Sequence, residues 1–280
     1  MNRIKALYNE INKIGQLSKK NHLDSHSAAA AFFMFVSIIP FIILILSIIP
    51  FTPVTSENLL VIAEAVLPDR LDYYAIEISN QLSNQSITIL SVSAIVAMWS
   101  ASRALLTIKQ GFNEIRGVVE TRNFIILRIN AAFYTIILIL SILLLLILNV
   151  VFIGLDRYLR TVLGINISDH STLVYILITL RPIITLVVAF LVNLYFFTFL
   201  PNDKIYVKSQ IPGAVLVSIL WYLFSEVFGI YINLFNAYSM YGSLSVVIIV
   251  LFWLYACMYI LFLGGQFNYY LSLERQNNKI

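Results

Sequence analysis

The chain has 280 residues, of which 60% are hydrophobic and 11% charged, with a mean hydropathy of +0.89. Soluble globular domains carry about 25% charged residues, so this composition excludes a soluble enzyme or binding module and predicts a polytopic, all-α membrane helix bundle. The net charge of +4 sits mostly in connections between apolar runs, which speaks for membrane orientation and against nucleic acid as a partner.

Residues 1–26 read as an amphipathic cytoplasmic segment. Ile4, Leu7, Tyr8, Ile11, Ile14 and Leu17 share one helical face and lysines occupy the others, a pattern that settles on a leaflet rich in anionic lipid. The segment lacks the compact apolar stretch and small-residue cleavage site of a signal peptide.

Residues 27–271 form the membrane domain, with six predicted spans. The first, Ala28–Ile49, opens on small residues, Ser27 to Ala31, that allow close helix approach. Pro40 lies in its middle and is expected to kink or break it. An outer insertion over 55–86 follows, with five acids and one arginine. Ser56 and Asp69 are its candidate N-caps, and Leu71, Tyr74, Ile78 and Leu82 fall on one face. It reads as two short amphipathic helices forming an outer lid, or alternatively an entrance that repels anions or binds a cation.

The second span, Ile87–Ile108, ends on Trp99 and Arg103. These suit an interfacial tryptophan and a snorkelling arginine, or an anion or headgroup site with Arg103 as its charge. The third span is Phe124–Gly154. The fourth, Leu173–Leu200, contains Arg181 and Pro182 side by side. Proline is favoured at the first position of a helix, and the stretch from Pro182 to Leu200 is long enough to span alone. This predicts a helix start at Pro182, with Leu173–Leu180 a separate outer piece.

The fifth span, Ile211–Leu234, carries Glu226. At ~1.5 Å per residue, Arg181 lies ~29 Å and Glu226 ~22 Å above the cytoplasmic edge. The two spans are joined by a short connection, which predicts an ion pair between Arg181 and Glu226 shaping a cavity mouth. Asn236, Tyr238, Tyr241 and Gly242 then make an uncharged polar outer turn. The sixth span, Ser243–Leu271, ends with Gly264 and Gly265, which allow close packing, and with the amides Gln266 and Asn268. Residues 272–280 are a cytoplasmic tail.

Fourteen of the eighteen lysines and arginines fall on one side of this arrangement, three (Arg70, Arg157 and Arg160) on the other, and Arg181 inside. The positive-inside rule then puts both termini in the cytoplasm. Two halves of three spans have the arithmetic of an inverted repeat.

No phosphate-binding loop, dinucleotide fingerprint or nucleophile elbow occurs. The one cysteine, Cys257, rules out an intrachain disulfide or a cysteine metal cluster. His22 and His26 are four apart without flanking acids, and His170 falls on the opposite side. No metal site, cofactor or catalytic residue is therefore expected. The candidate intramembrane and transport residues are Arg103, Arg181, Glu226, Pro40, Trp99, Tyr241, Gly242, Gln266 and Asn268.

The segments SAAAAFFMFVSIIP at 27–40, MWSASRALLTIKQGFNEI at 98–115, LYFFTFLP at 194–201, IPGAVLVSILWY at 211–222 and YGSLSVVIIVLFWLYACMYILFLGGQFNYYL at 241–271 together resemble the YihY/BrkB family of bacterial inner-membrane proteins. The resemblance implies six membrane helices with cytoplasmic termini, and it carries a ribonuclease label and a virulence association. The ribonuclease label fits poorly, because the cytoplasmic acids Glu10, Asp24, Glu114, Glu120, Asp203 and Glu274 are scattered. The family's final span ends on a G-A-E-x-N pattern, whereas this chain reads Gly264-Gly265-Gln266-Phe267-Asn268. A mechanism that titrates that acid is not open to it.

These readings point to a bacterial cytoplasmic-membrane carrier or flippase-like protein for a lipid or small anionic amphiphile, without an ATPase of its own. Membrane lipids would be its partners. The alternative is a non-transporting scaffold or envelope-assembly factor, and a membrane enzyme is the third reading.

Overall fold

The computed structural model describes residues 2–48, 87–161, 172–235 and 243–277. These form seven helices: α1 (Asn2–Lys20), α2 (Leu23–Ile48), α3 (Ile87–Arg116), α4 (Phe124–Thr161), α5 (Thr172–Phe199), α6 (Val207–Phe235) and α7 (Ser243–Asn277). No strand occurs among the described residues. The outer insertion over 55–86, with its expected caps and short helices, lies outside them, as do Tyr241, Gly242 and His170.

Each of the six expected spans coincides with one of the helices α2 to α7. Four of these are long and apolar enough to cross a membrane: α2 over Leu23–Pro40, α5 over Pro182–Phe199, α6 over Val207–Ile232 and α7 over Ser245–Gln276. Helix α4 adds a shorter apolar stretch, Ile125–Ser141.

Burial runs opposite to the pattern of a water-soluble protein. On α6, Ile211, Val215, Ile219, Leu223, Val227 and Ile230 are exposed at intervals of three or four residues. Ile125, Ile129, Phe133 and Ile136 repeat this on α4. Apolar stripes of this extent on an outer face suit hydrocarbon and would aggregate in water. Hydroxyls and amides, in contrast, turn inward or back on their own helices. The Ser18, Ser27, Thr107, Thr135, Ser141, Thr198 and Ser218 hydroxyls, and the Asn193 amide, each donate to the carbonyl four residues earlier at 2.6–3.1 Å. A segment without water satisfies its polar groups this way.

One sequence expectation is corrected, and of the kink or break expected at Pro40 the break does not occur. Helix α5 does not begin at Pro182, and Leu173–Leu180 is not a separate piece, because the helix runs unbroken from Thr172 to Phe199. Helix α2 likewise continues through Pro40 without a break. A proline removes one hydrogen bond. Ending a helix inside hydrocarbon would strand several backbone groups at several kcal/mol each, so continuation is the lower-energy choice.

The chain falls into two compact units. One comprises Met1–Val36, Ser100–Ile136 and Leu186–Ile280, the other Ser37–Trp99 and Ile137–Thr185. The first holds the packed interior. The rings of Phe197 and Phe262 each meet Phe112 edge-on at 5.4 Å, and His26 tilts against Phe262 at 6.0 Å. Between α1 and α2 the chain turns at His22, whose φ of 47° is left-handed. The Asn21 N–H donates to the Leu17 carbonyl and the His22 N–H to that of Lys19, ending α1, and His22's own carbonyl accepts from His26 to start α2. In the second unit, Val92, Ile95, Val96 and Trp99 of α3 present an exposed apolar face.

Candidate functional site

Within the first unit, α6 and α7 cross where each has a glycine. A β-carbon at Gly213 would lie 2.5 Å from the Gly264 carbonyl oxygen and against Asn268, and one at Gly264 would meet Val217 and Phe197. Gly265 makes room in the same way for the Phe112 ring. The expected close approach at Gly264 and Gly265 is therefore present, with Gly213 as its partner across the interface.

A seam of carboxamides runs along this crossing. Asn268, 1% exposed, accepts the Gly213 N–H at 2.7 Å and donates to the Gln210 carbonyl at 3.2 Å. Its side chain thus brackets Pro212, where the helix lacks an N–H. Gln266 is fully buried and accepts from the Asn21 amide at 2.7 Å, while its own Nε2 has no partner. Five residues beyond Gly213 in α6, Ser218 receives the Asn193 amide at 3.5 Å. The Asn193 Oδ1, also fully buried, is unpartnered. Further along, the Trp221 indole donates to the Cys257 carbonyl at 2.8 Å. The seam therefore keeps one amide nitrogen and one amide oxygen without a partner. An unmade hydrogen bond in a buried site costs about 1–3 kcal/mol, so such orphans in a native fold call for an explanation.

Ion pairs and a histidine–carboxylate hydrogen bond rim this end of the unit. His26 on α2 meets Glu114 on α3 at 2.6 Å. Arg116 meets Asp203 at 3.1 Å and lies over the Tyr269 ring at 5.8 Å. The Asn113 side-chain Oδ1 accepts the Asn202 backbone N–H at 2.8 Å, so the connection between α5 and α6 is docked on the end of α3. Lys109, 3% exposed, meets Glu120 at 2.6 Å, and the Arg122 N–H donates to the same carboxylate at 3.2 Å. Burial works to raise the Glu120 carboxyl, but the hydrogen bonds from Lys109 and Arg122 and their two charges outweigh it and hold it below the usual carboxylate range.

A group depressed in this way stabilises the fold above its unfolded value and loses that contribution as pH falls through its lowered native value. Glu120→Gln is expected to destabilise by ~2–3 kcal/mol at pH 7, the scale of breaking a partly buried pair. The two proteins should converge as the medium is acidified below the ordinary carboxylate range. Denaturation in detergent between pH 3 and pH 8 measures this, and a pH-independent gap would show that the charge is not what matters.

Of the residues singled out from sequence, the structure brings together Gln266 and Asn268 on the buried seam. Arg103 and Trp99 are exposed on α3. Arg103 stands near enough to Arg128 for their charges to repel. Pro40 is half-buried within α2. Glu226 is exposed on the apolar face of α6, between Leu223 and Val227. The Arg181 side chain lies outside the described residues, so its expected pairing with Glu226 does too. His26 turns to Glu114 rather than to His22. Among the described residues no three His, Cys, Asp or Glu side chains gather as a metal site.

Sequence reasoning placed Lys109 in a connection, yet α3 continues to Arg116. A signal was available: Leu105, Ile108, Lys109 and Phe112 follow the helical i, i+3, i+4, i+7 spacing, and all four are buried. Asn21, Asn193 and Gly213 carried no such signal, because each has a partner on another helix.

The family profile described as "Virulence factor BrkB" matches residues 15–279. YfkH of Bacillus subtilis (strain 168), named as a ribonuclease-like protein, is 30% identical over 246 residues, covering 87% of this chain and 88% of that protein. A UPF0761 membrane protein of Psychromonas ingrahamii is 22% identical over 99% of this chain and 94% of its own. Another, from Prosthecochloris aestuarii, is 22% identical over 88% of this chain, which spans 57% of that longer protein. No solved structure matches. With long apolar helices, lipid-suited outer faces and a profile match over nearly its whole length, the chain belongs to the BrkB family of membrane proteins.

Proposed function

We propose that the protein is a multi-pass carrier of the bacterial cytoplasmic membrane, with six spans and both termini inside, that moves a lipid or small anionic amphiphile without an ATPase of its own. The observation that carries this reading is the neutral carboxamide seam through membrane-length helices, with Gln266 Nε2 and Asn193 Oδ1 left unused. Amides can exchange hydrogen bonds with a polar headgroup without burying a net charge, whose desolvation would be far costlier. Orphaned groups suit a seam that opens and closes on a passing ligand, since they acquire partners when it is present.

Reconstitution into liposomes with fluorescent anionic lipids and small anionic solutes tests it. Movement well above protein-free vesicles is expected. Gln266→Leu should cut that movement about tenfold or more, a loss of ~1.4 kcal/mol or more at the barrier. Its melting temperature should stay level or rise, because leucine removes an orphaned donor and Asn21 is open enough to reach water. No movement of any substrate class by folded protein would sink the carrier reading.

The rim of paired side chains supports a second reading, a non-transporting scaffold. His26–Glu114, Arg116–Asp203 and Lys109–Glu120 fix this end of the unit rather than free it to move. In both readings the protein is not an enzyme, and its seam carries no acid, base or nucleophile suited to ribonuclease chemistry.

A further inference from the structure

Helices α1 and α7 pack against one another in the first unit and leave an open groove of about 610 Å³ between them. One wall is a single face of α1, with Lys13, Gln16, Leu17 and Lys20 at the i, i+3, i+4, i+7 spacing. The facing wall is one face of α7, with Tyr270, Leu273 and Glu274. The Tyr270 hydroxyl donates to the Glu274 carboxylate at 3.1 Å, which sets that acid on the α7 side. Lys19 and Arg275, each next in the chain to a lining residue, are exposed.

We infer that this groove binds the headgroup of an anionic phospholipid whose phosphate is esterified to a hydroxyl-bearing alcohol, of the phosphatidylglycerol type. Three features define that ligand. The lysines one helical face apart supply cations to a phosphate. A bare phosphate would be repelled by Glu274, but a headgroup with alcohol hydroxyls has donors for that carboxylate and for the Gln16 amide. Leu17 and Leu273 give an apolar floor that a glycerol backbone and the first methylenes cover.

Position supports the same occupant. The apolar stretch Ser245–Gln276 of α7 has 32 residues, about 48 Å at ~1.5 Å each, against a hydrocarbon core of ~30 Å. Its last turns, which line the groove, therefore project to headgroup depth when the rest spans. The volume falls within the ~300–1,000 Å³ of small-ligand sites, enough for a headgroup and too small for a whole diacyl lipid. This inference is independent of transport. A lipid held here can anchor α1 to α7 whether or not anything crosses the bilayer.

The test uses the purified full chain in detergent, with native mass spectrometry counting retained lipid. Phosphatidylglycerol should be retained over phosphatidylcholine, and added salt should weaken retention. In the double variant Lys13→Gln/Lys20→Gln, retention should fall about thirtyfold, given ~1 kcal/mol per lysine at an anionic headgroup. Lys13→Arg/Lys20→Arg should restore it. Glu274→Gln should narrow the preference for phosphatidylglycerol over phosphatidic acid, which lacks the alcohol. Equal retention in wild type and the folded Lys→Gln variant would overturn the inference. So would competition by soluble glycerol phosphate at the lipid's own concentration, which would make the site one for a free anion. If the Lys→Gln variant fails to fold, the salt titration on wild type decides, and salt-insensitive retention counts against the site. The carrier reading fails on a different readout, transbilayer movement, so the two can be separated.

Discussion

Gly213→Val is expected to destabilise the protein by at least ~3 kcal/mol, at the upper end of the range for overpacking a tight interface. At Gly213 the added carbon would meet the Gly264 carbonyl at 2.5 Å. That obstacle is backbone, so no rotamer change relieves it, and α6 and α7 must separate along the crossing. Separation would also stretch the two bonds that Asn268 makes to α6. Gly229, on the same helix, is the internal control. Nothing lies within 4 Å of a β-carbon there, so Gly229→Ala should leave stability level or raise it by up to ~1 kcal/mol through helix propensity alone. Melting in detergent, followed by helical circular dichroism, compares the two. Similar effects at both glycines would mean that the crossing does not depend on close approach.

The helices were legible because a membrane imposes a strong sequence signature. Long apolar runs bounded by charged or polar turns placed the starts of six of the seven described helices within five residues, while α3, α4 and α7 run six to eight residues past their expected ends, and amphipathic spacing placed α1. The exceptions have physical causes. Charged residues were taken to mark connections, but Lys109 lies inside α3, buried, where Glu120 folds back to meet it. Proline was taken to mark a helix start at Pro182, but hydrocarbon penalises an open turn more than it penalises one missing bond. At the seam, Gly264, Gly265, Gln266 and Asn268 stood out as small or polar residues in an apolar helix. What they do there depends on Gly213, Asn21 and Gln210, and Gly213 is 55 residues away from Asn268 in the chain. Periodicity within one helix carries no information about which neighbour it meets. The family resemblance adds one contrast. Where the pattern has an acid, Gln266 keeps the acceptor that Asn21 needs but brings a second group that cannot ionise.

Asn268→Leu is expected to cost ~2–4 kcal/mol. Two buried backbone groups, the Gly213 N–H and the Gln210 carbonyl, would each lose the bond that Asn268 makes to them, at about 1–3 kcal/mol apiece. Leucine branches at Cγ with the same number of heavy atoms as asparagine and is the bulkier of the two, so loss of packing does not account for the change. Asn268→Asp should be milder to the N–H, which keeps its acceptor, but it strips the Gln210 carbonyl of its donor and buries an acid. The cause can be isolated at Pro212. In α6 the proline removes an N–H from the first turns, and the Asn268 amide spans the gap by bonding to the residues on either side of it. Pro212→Ala lets that turn relax into the regular ladder, where the Gly213 N–H can reach the Ser209 carbonyl. The double variant Asn268→Leu/Pro212→Ala should therefore recover part of the stability that Asn268→Leu loses, giving a coupling of ~1 kcal/mol or more between the positions. Strict additivity would mean that Asn268 contributes by holding α7 against α6 and not by repairing the proline turn.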